Sequence, residues 1–251
     1  MKTGVWKVWR RNFLVFRKTW LVSLFWVVIE PLMYLGAIGY GLGSFVNQVE
    51  GKPYVLFFFP ALLCTTSMMV PFFEGTYAVY TKLTYQKIYA TLLLTPLRVR
   101  EILHGELLWS ASKGFFGVLG VSLIASLFGL VGGWTFPLVF VVLFLNSFVF
   151  ACIAMVFVSY AKNYDSFIFS TSGFIVPMSL IAGTYFPLES LPTVIQNLAY
   201  ILPLTHTVSA VRMILDENWD WMLGVNIIYL LLAALFFSRW AISRLERKLI
   251  N

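Results

Sequence analysis

The sequence predicts an all-α polytopic membrane protein with six transmembrane helices. Three observations carry that prediction. Of 251 residues, 60% are hydrophobic and only 12% charged, with a mean hydropathy of +0.84, whereas a soluble domain carries about 25% charged residues. Six apolar runs are long enough to cross a bilayer, which takes about 20 residues each. The basic residues gather at alternate ends of those runs, which places both chain termini on the cytoplasmic side. One membrane domain over residues 1–251 is expected, with no second globular domain beside its spans.

The chain opens on an expected interfacial helix, residues 1–20. Trp6, Trp9, Phe13, Phe16 and Trp20 recur at helical spacing as one stripe, with Lys7, Arg11 and Lys18 on another face and Arg10 and Arg17 beside the stripe. Such a helix lies on the membrane with its tryptophans at headgroup depth, and the long cationic stems can snorkel. A plain positive-inside anchor is the alternative. The first span runs from about Thr19 to Val46 and holds Glu30-Pro31 at mid-depth, followed by Gly36, Gly39, Gly41 and Gly43. The second runs from about Tyr54 to Tyr80, with Pro60, Pro71 and Glu74.

The stretch Lys82–Glu106 interrupts the apolar pattern with Lys82, Lys87, Arg98 and Arg100, then Glu101 and Glu106. Ile88–Leu94 is helical in pattern. Thr95 is a candidate cap for a following helix with Pro96 at its first position, where a missing N–H costs nothing. The loop is longer and more structured than a connector needs, as a docking element would be; an ordinary positive-inside loop is the other reading. The third span runs from about Leu107 to Leu130 with Lys113 near its start, and the fourth from about Phe136 to Ala161. Lys162–Asp165 makes a polar turn, and the fifth span runs from about Phe167 to Phe186.

Residues 187–218 are too polar for a span and too apolar for a free loop. Val194, Leu198 and Ile201, then Val208, Val211 and Leu215, fall on helical faces on either side of Pro203. Two short amphipathic helices on the outer side are expected, fit to dip into the membrane as a re-entrant hairpin where protein or water satisfies their backbone groups; a surface-lying loop is the alternative. The last span runs from about Trp221 to Ile242 and ends in Arg239, Arg244, Arg247 and Lys248. The outer side holds only Lys52 and Arg212 of the 18 basic residues.

Ionisable groups inside a span cost about 3 kcal/mol or more unless paired or hydrated. Glu30, Glu74 and Lys113 are therefore the intramembrane candidates, either for translocation or as a structural Glu–Lys pair between spans. Phe57–Phe59, Phe72, Phe73, Tyr77, Tyr80, Tyr160 and Tyr164 can stack on sugar rings, although membrane packing explains most such aromatics. Cys64 and Cys152 sit in apolar runs and are expected to pack. His104 and His206 fall on opposite sides and form no site, and no metal-ligand spacing occurs. No cleavable signal peptide is expected, because the first apolar run is too long and lacks a small-residue cleavage site. The basic residues mark topology and not nucleic-acid binding. The chain has no G-x-x-x-x-G-K-S/T loop and no nucleophile–base pair, so it is expected to bind no cofactor and catalyse no reaction itself.

The order of elements resembles the permease subunit of type-2 ABC exporters. The segments WRRNFLVFRK, EPLMYLGAIGYGLG, FFEGTYAVY, GELLWSASK, NYDSFIF, VPMSLIAGTYFPLESLP and LPLTHTVSAVR are similar to the Nod-factor (lipo-oligosaccharide) exporter permeases, over nearly the whole chain. The prolines of Phe186-Pro187, Leu191-Pro192 and Leu202-Pro203 are the most specific part. The resemblance implies a homodimer of this subunit with two cytoplasmic ATP-binding subunits, which would bind ATP and Mg, in a bacterial inner membrane. It makes Lys87–Leu97 the coupling helix, so that Lys87, Ile88, Tyr89, Leu92, Pro96, Leu97, Arg98 and Arg100 would face the ATPase. Trp6, Trp9, Arg10, Arg11 and Phe13 of the first helix would adjoin it. It also makes Phe186, Pro187, Leu191, Pro192, Pro203, His206 and Arg212 candidates for an outer gate. Substrates across the resembling proteins are amphiphiles, including lipid-linked saccharides and drugs. Two rival readings stay open: an ion-coupled transporter using Glu30 and Glu74, and a membrane enzyme acting on lipid.

Overall fold

The computed structural model describes residues 2–46 and 48–250. It is an all-α polytopic membrane protein. Helix α1 (Lys2–Lys18) leads into α2 (Trp20–Tyr34), which continues through a π-helical stretch, Leu35–Gly41, to Ser44. A two-residue hairpin, β1 (Gln48–Val49) with β2 (Lys52–Pro53), turns the chain. Helix α3 (Tyr54–Phe73) follows and passes through π-helical turns at Glu74–Ala78 and Thr81–Tyr85. Then come α4 (Ile88–Leu93), α5 (Val99–Ser126), α6 (Phe136–Tyr160), α7 (Asp165–Ser170), α8 (Val176–Ile181), α9 (Thr193–Ala199), α10 (Pro203–Leu215) and α11 (Trp221–Ile250).

Among the described residues, five helices are long and apolar enough to cross a membrane. The fifth expected span is the shorter run Asp165–Ile181, made of α7, a π-helical turn at Thr171–Ile175 and α8. It stops before the expected Phe186 because Gly183 takes a left-handed conformation (φ 77°) one residue past Ala182, the usual glycine stop of a helix. The apolar run through Phe186 belongs instead to the loop that enters the outer hairpin.

Helices α3 and α6 form the centre and α5 packs on both. In α3 and α6, 72% of the most apolar stretch is buried, against 13% in α2 and 17% in α11, which puts those two at the periphery. The phenylalanines Phe57, Phe58, Phe59 and Phe72 are core residues, which answers their sequence ambiguity in favour of packing. Cys64 and Cys152 are buried and free, as expected.

The outer hairpin is a bent pair, α9 and α10 meeting at 87°. The stripe of α10 is core: Leu204, Val208, Val211 and Ile214 are buried against α3, α6 and α11. A buried polar knot fixes it, with Asn146 Nδ2 donating to Ser67 Oγ at 2.7 Å and Thr207 Oγ1 donating to Asn146 Oδ1 at 2.8 Å. At the bend, His206 Nε2 donates to the Tyr200 carbonyl at 2.9 Å, and the Tyr229 hydroxyl donates to the Ile201 carbonyl. Backbone groups freed by a break between helices need such partners. The stripe of α9, by contrast, leaves Val194, Leu198 and Ile201 exposed.

The opposite, basic end is more tightly built than its sequence suggests. Helix α11 runs past the expected Ile242 to Ile250. Lys248 Nζ donates to the carbonyls of Val158 and Ala161, both at 3.0 Å. A cation there satisfies the last carbonyls of α6 and suits its negative end.

Candidate functional site

The loop between α3 and α5 is the first part of the site. Helix α3 runs beyond the expected Tyr80 to Tyr85, and Lys87 turns the chain in a left-handed conformation (φ 50°). The next helix is only Ile88–Leu93. Thr95 does not cap a helix beginning at Pro96. Its hydroxyl donates back to the Leu92 carbonyl at 2.6 Å and closes α4. Helix α5 begins at Val99, three residues past the expected Pro96, because the Glu101 carboxylate accepts from the Arg98 N–H at 3.0 Å, a reach-back of the kind that starts helices. Pro96, Leu97 and Arg98 therefore form a non-helical link between α4 and α5, with Arg98 itself extended.

Tyr89 anchors α4. Its ring is 1% exposed and sits in a second core with Val8, Ile102, Leu107 and Leu245. Burial raises the pKa of its hydroxyl well above the ordinary tyrosine value, and the nearby Glu106 charge adds to the shift. Ile88 and Leu92 pack at the edge of the same core, while Lys87 is exposed. Arg100 Nε is 3.0 Å from Glu246 of α11, which fastens the start of α5 to the C-terminal helix.

Helix α1 docks on α5. A Cβ on Gly105 would stand 2.6 Å from Val8 Cβ and 3.0 Å from the Val5 carbonyl, so only glycine permits this approach. Trp9 and Phe16 pack edge-on against Trp109 at 6.2 and 5.6 Å, and Trp6, Trp9 and Phe13 stack in series. The aromatic stripe is thus partly an interhelical contact and not wholly a headgroup belt. Arg10 lies on the exposed side with Lys7 and Lys18. Gly105→Leu is expected to lift α1 from α5 at a cost of about 1–3 kcal/mol. Tryptic cleavage at Arg10 and Arg11 would accelerate, with Gly105→Ala intermediate.

Five charged side chains then run as one chain from this loop into the membrane. Arg11 of α1 stands 3.8 Å from Glu106, which is fully buried. Lys82 pairs with Glu106 at 2.8 Å and reaches Glu74 at 3.8 Å. Glu74 pairs with Lys113 at 2.7 Å and accepts from Trp109 Nε1 at 2.8 Å. Glu74 and Lys113 thus pair with each other, the structural alternative weighed above. The π-helical turns at Glu74–Ala78 and Thr81–Tyr85 bracket this chain on α3. Such turns are rare and frequent at functional sites.

The chain ends at a cavity of about 680 Å³ between α2, α3 and α8, within the usual range for small-molecule sites. Glu74, Lys113 and Tyr77 line one part, Glu30, Pro31 and Tyr34 another, and Leu62, Met69, Phe73, Val176 and Leu180 supply apolar wall. All three intramembrane charges thus meet in one cavity. Of the aromatics considered for sugar stacking, Phe73 and Tyr77 face it, whereas Tyr80 and Tyr164 pack with Tyr85 and Phe167 at the basic end. Tyr160 packs on Trp240 and under Arg244.

The outer candidates do not form one cluster with these groups. Arg212 lies over the Phe57 ring at 3.8 Å and donates to the Phe57 carbonyl at 3.3 Å. His206 holds the hairpin bend, where its ring stacks on Tyr229 at 3.9 Å, and Pro203 starts α10. Phe186 is exposed, Pro187 caps a single 3₁₀ turn at Leu188–Ser190, and Leu191-Pro192 leads into α9. Among the described residues, no group of three metal-ligating side chains occurs.

Sequence reasoning missed Lys82 and Glu106 as members of the charge chain and Trp109 as the donor to Glu74. The available signal was the spacing Glu106, Trp109, Lys113 on one face of α5, with Glu74 and Lys82 similarly spaced on α3. It also missed Asn146, whose polarity within the most apolar helix was a cue.

The model of the ABC-2 type transporter family matches residues 3–215. The chain is 30% identical over 244 residues to Nodulation protein J of Sinorhizobium fredii, covering 97% of this chain and 93% of that one. It is 34% identical over 212 residues to Nodulation protein J of Bradyrhizobium diazoefficiens, covering 84% and 80%. It is also 23% identical over 207 residues to the inner membrane transport permease YadH of Escherichia coli, covering 82% and 80%.

Proposed function

This chain belongs to the ABC-2 type transporter family, a family of multi-pass transport permeases, and from that premise we propose that it is the transmembrane subunit of an ATP-driven exporter. Its substrate is an amphiphile, such as a lipo-oligosaccharide or lipid-linked saccharide, moved across a bacterial inner membrane. Two copies work with two cytoplasmic ATP-binding subunits, which bind the ATP and Mg. In this reading the basic end, with both termini and α4, faces the cytoplasm, which the distribution of Lys and Arg supports.

The observation that carries this reading is the unbroken series of ion pairs from beneath α4 to the cavity. Helix α4 is too short to be a stable helix alone, and it is held to the body by Tyr89. A partner that presses on α4 and the link Pro96–Arg98 loads Glu106 and α5 directly. Lys82 then conveys the displacement to the π-helical part of α3, where Glu74 and Lys113 line the cavity. Movement at the loop becomes a change in cavity shape because packed helices shift as units.

The ion-coupled alternative has less support, because Glu74 is neutralised by Lys113 and Lys82 and is poorly placed to exchange an ion. A drug or small-amphiphile exporter shares every feature above and differs only in substrate. Purifying the tagged full chain from its host tests the proposal. A stoichiometric ATP-binding protein should accompany the wild type and be lost when the exposed positions Lys87 and Leu94 are changed to Asp. A permease that is active in vesicles with no such protein would refute it.

A further inference from the structure

We propose that Glu30 is the specificity-determining group of the cavity, and that it selects amphiphiles whose head group donates hydrogen bonds and is uncharged or cationic, against anionic heads. The inference rests on the exporter reading and adds the chemical class of head group.

Glu30 differs from the other charges at the cavity. Both oxygens of Glu74 are occupied, one by Trp109 Nε1 at 2.8 Å and the other by Lys113 at 2.7 Å. Lys113 is correspondingly neutralised. Glu30 makes no ion pair or hydrogen bond among the described residues and is exposed along the cavity wall. A carboxylate in a span without a partner is costly, and that cost is offset when a ligand supplies the donor.

The hydroxyls of the cavity point to the same chemistry. Thr65 and Thr66 both donate to the Leu62 carbonyl, at 2.9 and 2.8 Å. Ser179 donates to the Val176 carbonyl at 2.7 Å. Their hydrogens are committed to their own helices, so what they offer a ligand is lone pairs. Only the hydroxyls of Tyr34, Tyr77 and Tyr185 can act either way. Among the described residues, the lining therefore holds an excess of acceptors and one unpaired carboxylate, while its cation, Lys113, is already paired. A phosphate or carboxylate head would meet like charge and few free donors. A saccharide hydroxyl, an amide N–H or an ammonium would meet acceptors. The apolar wall of Leu62, Met69, Val70, Phe73 and Leu180 takes the tail.

The test uses the full chain with its co-purified ATP-binding partner in nanodiscs of uncharged lipid. Displacement of a fluorescent amphiphile by chain-matched alkylammonium, alkyl glycoside and alkyl phosphate gives three affinities. The wild type should prefer the ammonium and the glycoside over the phosphate by about tenfold or more. Glu30→Gln should abolish the advantage of the ammonium while glycoside binding stays within a few-fold, and Glu30→Lys should invert the charge preference. A preference for phosphate in the wild type overturns the proposal. A charge preference unchanged in Glu30→Gln and Glu30→Lys also overturns it, and assigns Glu30 to a contact between copies. ATP-driven uptake of the same probes into inverted vesicles separates the two readings. Failure to transport any of them counts against the exporter, whereas equal transport of all three counts against Glu30 selectivity alone.

Discussion

Lys113→Ala is expected to abolish transport and to lower stability by about 3 kcal/mol or more, the cost of leaving a buried charge without its partner. Glu74 would keep only Lys82, at 3.8 Å, together with the Trp109 N–H. The side chains of the pair are 21% and 10% exposed, so water compensates little. The double variant Lys113→Met with Glu74→Gln removes both charges at similar volume and should recover most of the stability, since replacing a whole buried pair is often neutral. It should not recover transport, because the link from Lys82 to the cavity is lost. Thermal unfolding in detergent and transport in vesicles read the two effects separately. A single variant as stable as the wild type would mean that the pair is not buried in the membrane-embedded protein.

Tyr89→Ala is the second large effect. The side chain is almost completely enclosed, and truncating a buried aromatic costs about 3–5 kcal/mol. That loss falls on α4, whose six residues have few other anchors. The expected phenotype is a complex that assembles and hydrolyses ATP without moving substrate. Tyr89→Phe should keep the coupling of the wild type, because it keeps the buried ring and removes only the hydroxyl, whose hydrogen bond with the Glu106 carboxylate is worth about 1.5–3 kcal/mol. ATP hydrolysis and transport, measured on the same preparation, distinguish the outcomes. If Tyr89→Ala transported at the wild-type rate, α4 would have no part in coupling.

Much of the architecture was legible in the sequence because a bilayer enforces simple rules. Long apolar runs marked the helices, and the alternation of Lys and Arg marked their ends. The hairpin at residues 187–218 was legible from Pro203 and the two stripes beside it. What was not legible was whatever depended on partner choice. Glu74 and Lys113 stand 39 positions apart in the chain, and nothing in either segment says that they meet. Lys82 read as a topogenic loop charge, yet it is the bridge between two carboxylates. Local signals also competed. Thr95-Pro96 looked like a helix start, but Arg98 and Glu101 supplied a better one. Gly183 stopped the fifth span inside an apolar run that hydropathy carried on to Phe186. The aromatic stripe of α1 was correctly periodic, but its docking on α5 depended on Gly105, a residue whose absent side chain leaves no mark on a hydropathy pattern.

The measurement that tests the central claim most directly is the number of substrate molecules moved per ATP hydrolysed in Lys82→Met. This substitution leaves Arg11 with Glu106 and Lys113 with Glu74, so each remaining charge keeps a partner while the bridge between the two pairs is gone. The account predicts an assembled complex with near wild-type basal hydrolysis and a transport ratio reduced by about tenfold or more, the effect of removing one buried charge-assisted link worth over 1.4 kcal/mol. A ratio equal to that of the wild type would contradict it, and would place the path from α4 to the cavity outside the charge chain.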